Sequence, residues 1–356
     1  LMRIKTTAVL MFLAANAQAA DYADFKRDLS NRYGFDYSLD VSVLGQKGTP
    51  NNEKSATQTI YAPSASWQAY DGGTIDFSYN LVRYWGGNAA RVQNDLGLAN
   101  PINDYANRQS SFDQLTFTYD FGKAAVTVGQ FPLYNFDGTA YDSNQQTNFI
   151  SDALAQNGTE TYPTAGLGAY VQFNPNNEFS VAAGFQNAAN VDAKALSTKG
   201  WGQHRFTSFG QIAYAPRSGT YSVLVYNQPS VKAQPQNSTG VSVNLMRNVS
   251  DNTAVFMRIS GVSGYAVPLN RSYVLGGVVN FAENNQIGLA AAVSKVAKKY
   301  YNTPVRAYES VIEGYWNIGV GKYLTITPDM QLYIHPALDR SAKTATVFSL
   351  RGTIQL

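Results

Sequence analysis

The 356-residue sequence predicts an all-β fold, a 16-stranded antiparallel transmembrane β-barrel with an inward-folded third long loop carrying a short helix. Three observations predict it. Period-two alternation of apolar and polar residues starts near residue 33 and continues to the last residues. The connections between alternating segments are short and long in strict turn, the pattern of a barrel with tight turns at one rim and loops at the other. The 24 Tyr, 18 Phe and 29 Gly residues, with only 14% charged residues, suit strands that are wet on one face. No stretch after residue 20 approaches the ~18 consecutive apolar residues of a membrane helix, so this chain crosses a bilayer only as a closed barrel.

Taken in order, residues 1–20 read as a signal peptide: Arg3 and Lys5 precede the apolar run Ala8–Ala15, and Ala17-Gln18-Ala19 is a small-x-small cleavage site. Residues 21–32 (DYADFKRDLSNR) alternate poorly and read as a short periplasmic N-terminal segment, helix or turn, before a barrel spanning 33–356. In 33–44, Tyr33, Phe35, Tyr37, Leu39, Val41 and Val43 share one face while Asp36, Ser38, Asp40 and Ser42 share the other. Further strands are expected at 57–70, 73–84, 113–121, 124–131, 165–173, 177–187, 203–214 and 220–228. The remainder fall at 238–247, 253–261, 272–281, 286–294, 306–318, 322–334 and 345–356. Gly-, Asn- and Pro-rich turns such as Asp71-Gly72, 174–176 and 215–219 alternate with longer loops at 45–56, 85–112, 132–164, 188–202 and beyond.

The last strand orients the barrel. Phe348, Leu350 and Ile354 fall on one face and Arg351 on the other. Turning that arginine to the lipid midplane would cost about 2–4 kcal/mol, so the apolar face meets lipid and Arg351 the lumen. A soluble propeller would bury both faces of its inner strands and repeat a motif per blade. This chain has one consistently polar face and no such repeat.

The connection at 132–164 is unusually long for so strand-dense a chain, and long loops of this kind carry function. Counted from the N-terminus it is the third long loop, and it is expected to act as a constriction loop inside the bore. Asn144 to Gln156 is expected to form a short helix, with Phe149, Ile150, Ala153 and Leu154 as its apolar stripe. Tyr134, Phe136, Tyr141, Phe149 and Tyr162 offer flat apolar faces, and Asp137, Asn144, Gln145, Gln146 and Asn148 offer hydrogen-bonding groups. Sugar rings are bound through both.

The run FDGTAYDSNQQTNFISDAL, followed by YPTAGLGAYVQFNP and FSVAAGFQNA, resembles the corresponding region of the carbohydrate-selective porin (OprB) family. YLTITPDMQLYIHP (323–336) and SLRGTIQL (349–356) resemble that family's ending, and DFKRDLSNRYGFDYSLDV (24–41) its start. The resemblance implies a porin of the bacterial cell outer membrane that lets small neutral sugars diffuse passively into the periplasm, with no cofactor. Two other readings stay open: a general or ion-preferring diffusion porin, and an outer-membrane binding or adhesion barrel whose loops carry the function.

By register, the lumen-facing charges are Asp36, Asp40, Asp76, Asp120, Arg205, Arg258, Glu309, Glu313, Asp329 and Arg351, with Gln331 on the same face. Seven acids against three arginines do not make the Lys/Arg ladder of an anion pore. Without Arg3 and Lys5 the chain keeps 25 of its 27 basic residues against 24 acidic ones, a balance that gives no reason to expect nucleic-acid binding. Outer-membrane lipid or lipopolysaccharide is the expected surrounding partner. A flat apolar strand face serves lipid and a neighbouring copy alike, which leaves a homo-oligomer open. No metal cluster or nucleophile elbow stands in the sequence. His204 and the nearest outward serine, Ser208, sit four residues apart on one strand, roughly 13 Å, too far for a catalytic pair.

Overall fold

The computed structural model describes residues 19–50, 55–282 and 285–356. The signal-peptide expectation, apart from Ala19 and Ala20, and the middle of the expected 282–285 turn lie outside the described residues. Helix α1 (Ala19–Tyr33) leads through Gly34, which takes a left-handed φ of 63°, into β1 (Phe35–Thr49). Then follow β2 (Ser55–Tyr70), β3 (Gly73–Tyr84), helix α2 (Ala89–Asp95), β4 (Gln109–Asp120), β5 (Ala124–Phe131), helix α3 (Asp152–Ala155), β6 (Gly166–Phe173) and β7 (Phe179–Asn187). The second half is β8 (Phe206–Tyr214), β9 (Gly219–Gln228), β10 (Ser238–Ser250), β11 (Thr253–Val262) and β12 (Leu269–Ala282), then β13 (Asn285–Val296), β14 (Tyr308–Val320), β15 (Leu324–Ile334) and β16 (Thr344–Gln355).

Every strand pairs antiparallel with its sequence neighbours, and β1 closes on β16 with Val41 opposite Ile354 and Leu44 opposite Arg351. Closure matters because an open sheet edge in hydrocarbon would leave backbone groups without partners. The two faces sort as the alternation requires. On β16, Phe348 and Leu350 are 54% and 59% exposed on the outside while Arg351 is 1% exposed within. No helix among the described residues is long and apolar enough to cross a membrane, which says nothing against crossing by strands.

Three departures from the sequence reading have physical causes. First, β1 runs to Thr49 rather than ending at residue 44. Its Gly48 reads as a turn residue, but a Cβ there would stand 2.7 Å from Leu96 Cδ1 and 3.1 Å from Val92 Cγ1, so the glycine provides clearance for α2 inside the bore. Second, the helix expected over 144–156 shrinks to Asp152–Ala155, because barrel side chains take the carbonyls of Gln145 and Asn148 and the amides of Ile150 and Ser151. Third, Arg205 is not lumen-facing. A tight turn at Trp201–Gln203 and a left-handed His204 (φ 52°) precede β8, so the strand alternation cannot be carried back to Arg205, which lies exposed at the rim.

Candidate functional site

The third long loop, between β5 and β6, enters the bore and crosses it. Its root is fixed by an aromatic knot in which Phe131, Leu133, Tyr162, Phe209, Leu224 and Tyr226 are buried together, with Phe136 packed against them. The ring centroids of Phe136 and Phe209 lie 4.8 Å apart, and those of Tyr162 and Tyr226 4.9 Å apart. Asp137 ties the two ends of the loop to the wall: Asn157 Nδ2 (2.8 Å), Asn244 Nδ2 (3.0 Å) and Tyr162 OH (3.1 Å) all donate to its carboxylate.

Arg258 of β11 holds the middle. Its guanidinium donates to the carbonyls of Asp142 (2.9 Å), Ala153 (3.0 Å) and Gln156, and pairs with the Asp142 carboxylate at 3.1 Å, both side chains being sealed from solvent. The far tip is held by the opposite wall. Arg351 donates to the carbonyls of Gln145 and Asn148, Thr353 Oγ1 to Gln146 O (2.7 Å), and Asn317 Nδ2 to Thr147 O (2.7 Å). Glu313 accepts from the amides of Ile150 and Ser151. Phe149 is driven into the β11–β14 wall, against Phe256 (5.6 Å) and Tyr315 (4.8 Å).

The second long loop also turns inward, which sequence reasoning missed. Glu309 of β14 receives the amides of Ala99 (2.9 Å), Asn100 (2.8 Å) and Ala337 (2.7 Å) together with Asn100 Nδ2 (2.8 Å). Gln331 Nε2 and Gln46 Nε2 both donate to Ile102 O at 3.1 Å. The two loops touch, Asp152 N donating to Pro101 O (3.3 Å) and Asp104 N to Gln145 Oε1 (2.8 Å). Signals for this second loop existed: Leu96, Leu98 and Ile102 are apolar residues in a segment expected to lie in water, and all three are buried.

Between the third loop and the β1–β4 wall lies a gap of about 350 Å³. Carboxyl groups of Asp40, Asp104, Asp113, Asp137, Asp142 and Glu160 line it, against Arg258 as its basic group. Tyr79, Tyr105, Tyr134 and Tyr162 supply rings, and Asn80, Gln109, Asn144, Gln145 and Asn157 supply amides. Of the residues expected in the constriction, Tyr134, Asp137, Asn144 and Arg258 meet here. Glu309, Glu313, Asp329, Gln331 and Arg351 instead lie buried beneath the loops, where most of their polar groups are spent on loop backbone, and Phe136, Tyr141 and Phe149 pack in the apolar clusters.

Burial acts on the acids of the loops. It pushes the Glu160 carboxyl up to about 8, with the Asp152 charge adding to the effect, and raises Asp152 to about 7 against the pull of Arg258. Asp104 is held well above the usual carboxylate range by burial and then by the charges of Asp152 and Glu160. Near neutral pH the Glu160 carboxyl is therefore largely protonated and able to donate as well as accept a hydrogen bond.

Two family models match the sequence, the carbohydrate-selective porin OprB family over residues 202–356 and the phosphate-selective porins O and P over 51–254. Among characterised relatives, the porin AaxA of Chlamydia abortus is 39% identical over 339 residues, covering 88% of this chain and 76% of the relative. The porin AaxA of Chlamydia trachomatis serovar D is 37% identical over 369 residues, covering 94% of this chain and 80% of the relative. The structure of Pseudomonas putida OprB at high pH superposes with a TM-score of 0.78 at 14% identity, covering 94% of this chain and 97% of that one. An anion-selective porin from Comamonas acidovorans superposes at 0.56 with 10% identity, covering 90% and 99%, a likeness of fold alone.

Proposed function

The chain belongs to the OprB-type family of outer-membrane porins of Gram-negative bacteria, and from that premise we propose that it is a passive, carbohydrate-selective diffusion channel for small sugars. The observation that carries this reading is the make-up of the gap beside the third loop: flat tyrosine faces, amides and protonatable carboxyls, with its one guanidinium already committed to Asp142 and three carbonyls. Such a lining replaces part of the water around a hydroxylated ring without fixing a charge. The gap sits at the low end of the ~300–1,000 Å³ of small-molecule sites, which suits a monosaccharide better than an oligosaccharide. Solute contacts must stay weak, because conduction fails if the solute is held.

The matching phosphate-porin model does not extend to phosphate selectivity here. An anion path needs a ladder of free Lys/Arg side chains, whereas Arg258 and Arg351 are engaged by the loop. A second reading, a cation-preferring channel, is favoured by the six carboxyl groups of the gap and gains weight as they ionise. Vesicle swelling with neutral, anionic and cationic solutes of matched size distinguishes the three. Equal rates for sugars and size-matched amino acids would remove the carbohydrate assignment, and no swelling at all would favour a binding barrel.

A further inference from the structure

We infer that the outer face of β11–β14, at the rim that carries the long loops, holds a binding site for the phosphate groups of an anionic glycolipid in the outer leaflet. Arg271 of β12 and Lys295 of β13 are direct cross-strand partners, and both fall on the outward face. Like charges directly opposite each other on a sheet destabilise it, so such a pair calls for an anion between them. Among the described residues, no carboxylate stands within ion-pair distance of either side chain. The row they occupy continues as Val241 and Gly261 on one side and Tyr308 on the other, so it carries no acid. Gly261, opposite Arg271, presents no side chain beyond Cα, and a Cβ built there would lie 3.7 Å from Arg271 Cγ, which leaves open surface beside the guanidinium.

The depth of the pair suits a lipid headgroup. Two residues further into the membrane on the same strands, about 7 Å at strand rise, lie Tyr273 and Val293, and two beyond those Leu275 and Ala291. Tyr273, Val293 and Leu275 are all exposed on the outside. Tyr308, outward and exposed beside Lys295, completes an aromatic rim of the kind that marks the edge of the hydrocarbon. A phosphate held by Arg271 and Lys295 would thus sit just above the apolar belt while its acyl chains run down past Tyr273 and Leu275. Two further exposed cations, Lys298 and Lys299, follow directly on the chain, with Lys299 Nζ 5.9 Å from the Tyr265 ring centroid. The loop bearing Lys298 and Lys299 is tied at its base to the β11–β12 loop that carries Tyr265, Ala297 N donating to Pro268 O at 2.8 Å. Guanidinium and ammonium groups so placed are suited to phosphate oxygens.

The test compares full-length protein in nanodiscs of neutral phospholipid doped with bisphosphorylated lipid A or with its dephosphorylated form, bound lipid being counted by native mass spectrometry. The wild type is expected to retain the phosphorylated lipid preferentially. Arg271→Gln/Lys295→Gln is expected to weaken that retention about thirtyfold, two surface charges' worth, with channel conductance unchanged as proof of a folded barrel. Arg83→Gln, at the same rim on another strand, is expected to change retention less than twofold. Equal retention by wild type and double variant, or equal retention of the dephosphorylated lipid, would overturn the assignment. So would a change of oligomeric state in the double variant with lipid retention intact, which would give this face to a second copy of the chain.

Discussion

Removing the guanidinium that clamps the third loop is the sharpest perturbation of the constriction. Arg258→Met keeps most of the side-chain volume but removes the donors to Asp142, Ala153 and Gln156 and leaves the Asp142 carboxylate buried with only Thr139 as donor. Breaking one side of a buried ion pair costs about 3–5 kcal/mol. At 1.4 kcal/mol per factor of ten, the population in which 142–156 is released from the β11 wall rises by about two to three and a half orders of magnitude. The assay is single-channel current in planar bilayers. Arg258→Met is expected to give larger and noisier conductance, and Arg258→Met/Asp142→Asn to return towards wild type, because removing both partners leaves no orphaned charge. A wild-type current from the folded single variant would refute the claim that this clamp holds the constriction.

Three further outcomes are expected. Glu309→Gln weakens the cradle that receives Ala99, Asn100 and Ala337 by about 1.5–3 kcal/mol, which should appear as faster hydrogen exchange at residues 97–103; unchanged protection would separate Glu309 from the second loop. Gly48→Val drives methyl groups into Leu96 and Val92, an overpacking cost of about 1–3 kcal/mol, and should expel α2 from the bore and raise conductance, whereas an unaltered current would deny α2 its inward position. Raising the pH from 6 to 9 passes the value of about 8 for Glu160 and about 7 for Asp152. Raised carboxyls are neutral below these values and charged above them, so cation preference, read as reversal potential in a salt gradient, should grow with pH. Glu160→Gln should blunt that growth, and a pH-independent potential would contradict the assignment.

Much of this molecule was legible because a strand has a period of two and a membrane punishes a wrong face. The bounds of β3 and β5, and the inward register of Arg258, Glu309, Glu313 and Arg351, follow from alternation alone. The inward third loop was legible from its length. What those inward charges do was not, because a coil has no period that says which carbonyl will meet which side chain. Arg351 and Glu313 look in the sequence like groups facing water, and in the fold they end on the backbone of Gln145–Ser151. For the same reason Asp104 and Glu160 went unnoticed as lining residues, since their positions depend on how two loops meet; Asp113 was hidden by a bulge in β4, where the pairing steps from Ser78–Gln114 to Tyr79–Phe112 and turns it inward. Arg205 failed differently, since the turn at Trp201–Gln203 and a left-handed His204 delay the start of β8 to Phe206, although Gly200 and Gly202 stood there as turn signals.

The central claim, that small neutral polar solutes pass through a loop-narrowed gap without a free cationic ladder, is tested most directly by swelling of proteoliposomes in monosaccharide, trisaccharide and an anionic sugar acid of monosaccharide size. The monosaccharide should enter fastest, the trisaccharide should be excluded by a gap of about 350 Å³, and the acid should lag its neutral counterpart. An anionic sugar acid entering as fast as the neutral sugar, or a trisaccharide entering as fast as either, would contradict the account.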